Sequence, residues 1–419
     1  MTEKNLPMAS SDLIAFADKV GTPFNIYDGR AIAANAERMK SAFGWAPSFI
    51  NYFAVKALPN ISILRLLASH GFGADCSSLP ELLLAKEAGL SGDRIMFSSN
   101  DTPDEEFRMA YDIGAVINLD DIKHIESVER ACPAFPETIS FRYNPGPDRT
   151  GNAIIGNPVE AKYGVTKDQV VDCYRIAKEK GARHFLLHTM VASNELNPDY
   201  IVETARMLFE LVRRIKDEAG VSIEAIDLGG GVGIPYRPEN DAISFEYLGS
   251  EIGKLYREMI EKEGLAPLRI SFECGRCITG PYGYLVSRVR HVVHKYKDYV
   301  GLDACMADLM RPALYGAYHH ITVLGKENAP KDHVYDVTGS LCENNDKFAI
   351  DRPLPEIEEG DILAIHDTGA HGHAMGFNYN GKMRHAEYLI AEDGSLLRIR
   401  RDETYEDYVR TMLFEPERV

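Results

Sequence analysis

Short apolar runs of strand type alternate with amphipathic runs of helical type between about residues 30 and 280. The strand candidates are, in order, NYFAVKA, GADCSS, IMFSSN, AVINLDD, TISFRYNPG, HFLLHTMV, AIDLGGG and RISFECGR. Helical segments lie between most of these runs, several closing on glycine, and RAIAANAERMKSAFG precedes the first strand as a further helix. Eight strand–helix units in roughly 250 residues predict an α/β fold with a (β/α)8 TIM barrel over residues 29–280. An open doubly wound sheet is the alternative, but no clear reversal of strand order favours it.

The pattern changes after SFECGR, because the remaining runs are rich in β-branched and aromatic residues and contain few long helical stretches. Residues 281–419 are therefore predicted to form an antiparallel β-sandwich or β-barrel domain. The early run TPFNIYD, residues 22–28, has no barrel strand before it and is predicted to pair within this second domain.

The charge balance limits the partners of the chain. Its 419 residues carry a formal net charge of −17, which argues against a nucleic-acid partner or an anionic membrane, because both require clustered Lys and Arg. No apolar stretch approaches the roughly 18–20 residues that cross a bilayer. MTEKNLPMASSDL lacks the basic flank and apolar block of a secretory signal. The seven cysteines are odd in number and scattered, which favours reduced thiols and a cytoplasmic protein.

Polar side chains gather at the predicted carboxyl ends of the barrel strands, where barrel enzymes place their chemistry. These ends carry Lys56, Asp75 with Ser77 and Ser78, Asn100, Arg142 with Asn144, the segment from His188 to Ser193, Gly229–Gly231, and Glu273 with Arg276. A lysine such as Lys56 at the end of a buried strand is costly unless its ammonium is paired, reaches solvent or reacts. Exposure to solvent is the ordinary outcome for such a lysine.

Several of these features together describe a pyridoxal phosphate site. Gly229–Gly231 lets the backbone approach an anion closely, and Arg276 adds a fixed positive charge for a phosphate. Glu273 can hold a protonated ring nitrogen, and Lys56 can form a Schiff base with an aldehyde. Alone, the glycines are explained equally well by a tight turn. They are not a dinucleotide fingerprint, because IPYRP follows where a helix would begin.

The chain also resembles a known family, the fold-type III pyridoxal-phosphate decarboxylases of the ornithine/diaminopimelate/arginine group, and its motifs are most similar to the diaminopimelate branch. The resemblance covers nearly the whole sequence. It rests on YFAVKA, GADCSSLPELLLA, LGGGVG, ECGR, LMRPALYGAYHHI, GSLCENND and HDTGAHGHAMGFNYNGKMRHAEYL. It implies an alanine-racemase-like barrel, pyridoxal 5'-phosphate as cofactor and no metal.

The resemblance implies a role for each site residue. Lys56 would carry the cofactor and Cys342 would return a proton to the substrate. The implied cofactor-binding set is Lys56, Asp75, Ser193, Gly229, Gly230, Gly231, Glu273, Arg276 and His371, and the implied substrate-binding set is Arg276, Arg311, Tyr315 and Glu343. The family builds each active site at a homodimer interface, with the LCE segment coming from the neighbouring subunit. Taken alone, Cys342 would more often be a buried small hydrophobe than a catalyst.

The expected substrate follows from the distal residues. Arg311 and Tyr315 lie four apart and share a face if MRPALY forms one helical turn. An arginine fork suits a carboxylate, and Glu343 would take an ammonium, so a second amino-acid centre fits best. The expected reaction is decarboxylation of meso-2,6-diaminopimelate to L-lysine and CO2, the last step of lysine biosynthesis. Ornithine, lysine or arginine is the alternative substrate, and a structural ion pair is the alternative role of Arg311.

Three positions depart from the pattern of the family. Cys274 replaces the proline of EPGR, and His371 replaces a tyrosine that meets phosphate and substrate. Met190 occupies the position of an imidazole that stacks on the cofactor ring, while His188 lies two residues earlier on the same strand face. These changes do not affect the prediction of the cofactor, but they weaken the prediction of the substrate.

Alternative functions would depend on other residues. Asp367, His371 and His373 offer metal ligands, but they fall in the predicted β domain rather than at barrel strand ends. Cys274 and Cys277 form a CxxC pair without a second pair or a thioredoxin-like context, which makes the spacing incidental. A racemase would need a second base opposite the lysine, and a non-catalytic binding protein would not need Lys56 with Glu273, Cys342 and Glu343 together.

Overall fold

The computed structural model describes residues 3–151 and 156–418. The chain begins with helix α1 (Ser10–Val20), strand β1 (Phe24–Asp28) and helix α2 (Gly29–Ala42). Helix α1, which the sequence analysis did not predict, buries Leu13 and Ala17 in an apolar cluster with residues of β1. Helix α2 covers the segment that was predicted as an additional helix.

Eight parallel strands then form a closed barrel, which confirms the predicted fold class. The strands are β2 (Ile50–Ala54), β3 (Gly73–Cys76), β4 (Ile95–Ser98), β5 (Val116–Leu119), β6 (Thr138–Tyr143), β7 (His184–Thr189), β8 (Ile223–Asp227) and β9 (Arg269–Phe272). Each of the first seven is followed by a helix, namely α3 (Ile61–Ser69), α4 (Leu79–Glu87), α5 (Asp104–Asp112), α6 (His124–Ala131), α7 (Val170–Glu179), α8 (Pro198–Ala219) and α9 (Phe245–Tyr256). Pairing of Asn51 with Phe272 closes the barrel.

Local sequence signals set the ends of these helices. The side chains of Asn60 and Asn197 accept hydrogen bonds from backbone N–H groups in the first turns of α3 and α8. Ser244 caps α9 in the same way. Such caps stabilise a helix by about 1 kcal/mol because they satisfy N–H groups that have no partner within the helix. Gly220 ends α8 in the left-handed conformation, with φ of 61°.

The inward faces of the strands change from apolar to polar along the barrel. One buried cluster is built only from strand residues, Tyr52, Met96, Val116, Leu186 and Ala225 with Ile50 beside them, and it fills the barrel interior. Two residues further along four of these strands, on the same face, lie Ser98, Asn118, His188 and Asp227. The interior therefore presents a tier of polar side chains at the carboxyl ends of the strands.

The second part of the chain contains a nine-stranded sheet. After β9 the chain continues through α10 (Arg276–Thr279), β10 (Gly283–His294), β11 (Asp298–Leu302), α11 (Arg311–Tyr315), β12 (Ile321–Val323), β13 (His333–Thr338), β14 (Lys347–Leu354), β15 (Ile362–Ile365), β16 (Glu387–Ile390), β17 (Leu396–Arg400) and α12 (Tyr405–Val409). The strand order is β14-β13-β11-β10-β1-β16-β17, with β15 paired to β10 and β12 paired to β15. Its largest apolar cluster is built around Leu285, Val300, Val337 and Leu363.

Strand β1 pairs with β10 and β16, which confirms the predicted pairing of residues 22–28 within the second domain. The expectation of a wholly antiparallel sheet is corrected, because β1 with β16 and β11 with β13 pair in parallel. No hairpin joins either pair, so chain connectivity does not force an antiparallel direction.

By its internal contacts the chain divides into two compact units. One unit contains Ala33–Ile234 and Ala242–Ile278, and the other contains the N-terminal segment up to Ile32, Pro235–Asp241 and the chain from Thr279 onward. The domain limits expected from the sequence, 29–280 and 281–419, stay a prediction. Within the described residues, no helix combines the length and apolar character needed to cross a bilayer.

Candidate active site

Glu273 is the centre of the polar tier in the barrel. Its side chain is 6% exposed and follows β9 directly. His188 Nε2 lies 2.9 Å from Glu273 Oε2, and Ser98 Oγ donates to Glu273 Oε1 at 3.1 Å. Burial opposes the charge of this carboxyl, but His188 together with Lys56 and Arg142 outweighs it and lowers the pKa of Glu273 to about 2. Glu273 is therefore ionised at neutral pH.

Two further buried carboxyls have the opposite tendency. Burial and the nearby Glu273 raise the pKa of Asp227 well above its ordinary value, although its oxygens accept hydrogen bonds from Gly229 N and Ser271 Oγ. Burial and Glu273 also raise the pKa of Asp75, to about 7. Like charges this close cannot all ionise at low energetic cost, so the proton is kept on Asp227 in preference to Glu273.

Lys56 lies in the single turn of 3₁₀ helix Val55–Ala57 that follows β2. Its Nζ is 3.3 Å from Asp75 Oδ2, and its side chain is 53% exposed. Asp75, with a contribution from Glu273, raises the pKa of Lys56, which keeps this amine protonated in the structure described here. The structure therefore brings Lys56, Asp75 and Glu273 together, as the sequence analysis expected for the strand ends.

The glycine turn after β8 has no room for side chains. A Cβ on Gly230 would lie 2.8 Å from the carbonyl oxygen of Glu273, and one on Gly231 would lie 2.5 Å from that of Ala192. Gly229 and Gly231 also have φ of +69° and +100°, in the left-handed region that favours glycine. A bare backbone turn of this kind at the end of a barrel strand fits close approach of a phosphate.

Met190 lies against this turn. Gly230 N–H donates to Met190 Sδ at 3.2 Å, so the thioether contacts the amide of the turn directly. Met190 also lines a small cavity of about 10 Å³ with Arg142 and Tyr163. The Arg142 guanidinium lies 3.7 Å from the centre of the Tyr163 ring. The two remaining cofactor-binding predictions in this unit, Ser193 and Arg276, are half-buried.

The other predicted residues belong to the second compact unit. Arg311 and Tyr315 lie within the single short helix α11, as their spacing predicted. Arg311 is buried, with its guanidinium 4.5 Å from the centre of the Tyr236 ring and Nη1 3.2 Å from His319 Nε2. Tyr315 is 56% exposed. His371 is half-buried and has φ of 55°, a conformation that non-glycine residues adopt seldom.

Cys342 and Glu343 lie on a loop folded around Asp346. The Asp346 carboxylate accepts hydrogen bonds from Met306 N at 2.6 Å and Leu341 N at 2.7 Å. All seven cysteines are within the described ranges, and Cys342 alone is exposed while the other six are buried. Glu343 is half-buried, and its Oε1 accepts from Asn345 N at 3.0 Å. The loop therefore presents a thiol and a carboxylate beside each other at the surface of the single chain.

Two residues of the alternative metal set, Asp367 and His373, have other partners. Asp367 pairs with Lys4 at 2.6 Å, whereas His373 contacts Arg384 Nη2 through Nδ1 at 2.6 Å. Within residues 3–151 and 156–418, the group of three potential ligands close enough for a metal is His188 with Asp227 and Glu273, in the barrel tier itself. Cys274 and Cys277 are both buried free thiols, and hydrogen bonding with Cys277 raises the pKa of Cys274.

Asp227, Ser98 and Asn118 were not among the predicted site residues, yet all three belong to the tier around Glu273. Asn118 Nδ2 donates to Ser98 Oγ at 3.0 Å, which in turn donates to Glu273. A signal for them is present in the sequence, because each polar residue follows an apolar one at a spacing of two within a short strand. That alternation marks the point at which the barrel interior changes from apolar core to polar functional residues.

Comparison with known proteins agrees with this geometry. Residues 30–280 match the family described as pyridoxal-dependent decarboxylase, pyridoxal binding domain. Protein TabA from Pseudomonas amygdali pv. tabaci is 43% identical over 395 residues, which cover 94% of this chain and 92% of that protein. The diaminopimelate decarboxylase of Methanothermobacter thermautotrophicus is 35% identical, covering 97% of this chain and 95% of that enzyme.

Solved structures agree as well. The crystal structure of diaminopimelate decarboxylase from M. jannaschii in complex with L-lysine superposes with a TM-score of 0.88 at 31% identity, covering 96% of this chain and 95% of that one. The resemblance seen in the sequence motifs is thereby confirmed. The chain belongs to the fold-type III pyridoxal-dependent decarboxylases and is a carboxy-lyase that uses pyridoxal 5'-phosphate.

Proposed function

We propose that the chain decarboxylates meso-2,6-diaminopimelate to L-lysine and CO2, the last step of lysine biosynthesis. The barrel tier, in which Lys56, Asp75 and the ionised Glu273 lie together, supports the cofactor chemistry. The observation that carries the choice of substrate is the buried guanidinium of Arg311. The seven free cysteines support a reducing compartment, the cytoplasm.

Lys56 would hold the cofactor aldehyde covalently, and the glycine turn with Arg276, Ser193 and His371 would hold its phosphate. The requirement for glycine supports this assignment, because a Cβ on Gly230 or Gly231 would collide with the carbonyl oxygen of Glu273 or Ala192, so the backbone of the turn stays bare. When bound, the cofactor supplies an electron sink that stabilises the charge left at Cα by loss of CO2. Asp75 contacts the Lys56 amine at 3.3 Å and would orient it.

Glu273 would keep a proton on the ring nitrogen of the cofactor. Its low pKa supports this role, because an ionised carboxylate makes a stronger, charge-assisted hydrogen bond to a protonated nitrogen. His188 and Ser98 each occupy one oxygen of Glu273, which limits the rotation of the carboxylate. Burial and the charge of Glu273 raise the pKa of Asp227, which opposes a second negative charge in the tier.

Cys342 would return the proton to Cα, and Glu343 would bind the distal ammonium of the substrate. A thiol has a pKa much nearer neutrality than a hydroxyl, which suits proton donation. The exposure of Cys342 on a surface loop supports its delivery across a homodimer interface to the site of a second copy. Arg311 and Tyr315 would contact the distal carboxylate, for which the planar fork of a buried arginine is well matched.

A second candidate is decarboxylation of ornithine, lysine or arginine. Met190 and His371, which depart from the pattern of the family at cofactor-facing positions, favour a shifted specificity. Arg311 argues against it, since a guanidinium repels a purely cationic distal end.

Release of CO2 from meso-diaminopimelate, lysine, ornithine and arginine tests the proposal. Wild type should prefer meso-diaminopimelate, and Arg311→Gln should lose that preference while keeping the cofactor absorbance. The matched control is Arg290→Gln, an exposed arginine of β10. Equal turnover of ornithine and meso-diaminopimelate by wild type would contradict the proposed substrate.

A further inference from the structure

The second compact unit contains a cavity of about 500 Å³ with a concentration of basic side chains. Arg237, Lys331, Lys347 and Arg352 line it, and His320 forms part of the same wall. The whole protein carries a net charge of −17, so a basic cavity is contrary to its average composition. None of these residues belongs to the active site described above.

Two of the arginines share one aromatic ring. The Arg237 guanidinium lies 4.6 Å from the centre of the Tyr318 ring, and the Arg352 guanidinium lies 4.0 Å from it. Arg352 Nη1 also donates to the carbonyl oxygen of His319 at 2.8 Å. The ring attracts each guanidinium, but the two like charges repel each other, and an anion near both would offset that repulsion.

Acidic residues do not neutralise this cluster. Among residues 3–151 and 156–418, no carboxylate lies within ion-pair distance of Arg237, Arg352 or Lys331. Lys347 differs, because Asp336 pairs with it at 3.0 Å. The acidic residues on the wall are Glu239 and Asp351, and Asp351 pairs with Lys297 at 2.7 Å.

The pKa of His320 is affected by these cations. Burial, with Lys331, Arg352 and Lys4 nearby, lowers the pKa of His320 to about 4, and Glu239 opposes this only in part. The cavity is therefore positive at neutral pH even with a neutral imidazole. Apolar groups complete the wall, including Phe348 and Leu354, which are both 2% exposed.

We propose that this cavity binds a small phosphorylated organic molecule. Guanidinium forks from Arg237 and Arg352, with the ammonium of Lys331, match the charge and the several acceptor oxygens of a phosphate dianion. The apolar wall and a volume larger than a phosphate requires provide space for an organic body. This inference is independent of the substrate proposed for the barrel site.

Calorimetric titration of the holoenzyme with pyrophosphate at low salt tests the site, with the cofactor site already saturated by pyridoxal phosphate. Wild type should bind one pyrophosphate per chain. Arg237→Gln and Lys331→Gln, which change exposed side chains, should each weaken binding about tenfold. Arg290→Gln, an exposed arginine of β10 outside the cavity, should bind as wild type. Thermal unfolding of each variant checks that it is folded.

Two results would overturn the proposal. One is a folded double variant Arg237→Gln/Lys331→Gln that binds pyrophosphate with the same affinity as wild type. Failure of both wild type and variants to bind pyrophosphate counts as the same result. The other is binding of succinate as tight as that of pyrophosphate, which would assign the cavity to carboxylates. A rise in the pKa of His320 on adding pyrophosphate, followed by NMR, would support it, because a bound anion offsets the cations around that ring.

Discussion

Three buried carboxyl groups lie close together in the barrel, and the charge of each depends on its immediate contacts. Glu273 accepts from His188 and Ser98 and has its pKa lowered to about 2. Asp227 faces the same imidazole but has its pKa raised by burial and by the charge of Glu273. The difference assigns distinct roles to chemically similar groups, as in other sites where two carboxyls divide acid and base functions.

Replacing each of the two carboxyls by its amide should separate these roles. Glu273→Gln removes the negative charge, so turnover should fall by about 10²-fold or more while the cofactor stays bound. Asp227→Asn is the matched control, because an amide resembles the protonated acid and turnover should stay close to wild type. Steady-state CO2 release and the cofactor absorbance measure both effects. Equal losses in the two variants would show that the charge of Glu273 is not the property that matters.

Asp75 should make the stability of the protein depend on pH. An unfolded aspartate titrates near pH 3.9, whereas burial and Glu273 raise the folded pKa of Asp75 to about 7. The folded state therefore binds this proton more tightly, and the stabilisation is complete below about pH 4 and lost as pH rises through about 7. In urea unfolding of the cofactor-free protein, wild type should lose stability relative to Asp75→Asn over this range. A difference between the two proteins that does not vary with pH would refute the assignment.

At the scale of elements, the glycine turn after β8 is the segment least tolerant of change. Gly230→Ala would place a Cβ 2.8 Å from a backbone carbonyl, so the turn must move. Cofactor affinity should fall by roughly tenfold or more, since hydrogen bonds to a phosphate depend on the position of that backbone. Gly301→Ala on β11 is the control, because its Cβ would meet His291 O at 3.6 Å, an ordinary contact. Titration with pyridoxal phosphate measures both variants, and equal affinities would contradict the expectation.

Most elements could be predicted from the sequence because their signals are local. Periodicity and glycine positions predict the eight strands and the helices between them. They also predict the domain in which β1 pairs. The parallel pairing of β1 with β16 could not, since it depends on which distant strand offers a free edge. In the site, Lys56 and Glu273 were found from their positions at strand ends. Asp227 and Ser98 were missed because one polar residue in a short strand carries little information until its neighbours in space are known.

At the scale of the molecule, the proposed homodimer can be tested by complementation. Lys56→Ala and Cys342→Ala should each lower turnover by about 10²-fold or more. If each site takes Lys56 from one copy and Cys342 from the other, every mixed dimer retains one intact site. Dissociating and reassociating equal amounts of the two variants should then restore about a quarter of wild-type activity. Mixing Lys56→Ala with Cys132→Ala is the reference, which should keep about half of wild-type activity before and after exchange. No recovery in the first mixture, with the reference unchanged, would show that Cys342 acts within its own chain.

The position of β1 between β10 and β16 has a consequence for the order of assembly during synthesis. Asn25 pairs with Leu285 and with Glu387, residues that leave the ribosome on the order of tens of seconds after it at usual rates of translation. All eight barrel strands are made between β1 and its first neighbour, since β9 ends at Phe272 and β10 begins at Gly283. The first strand made is thus among the last to acquire its hydrogen bonds. Until then β1 is an unpaired strand whose apolar residues Phe24 and Ile26 are exposed, and such a strand can aggregate.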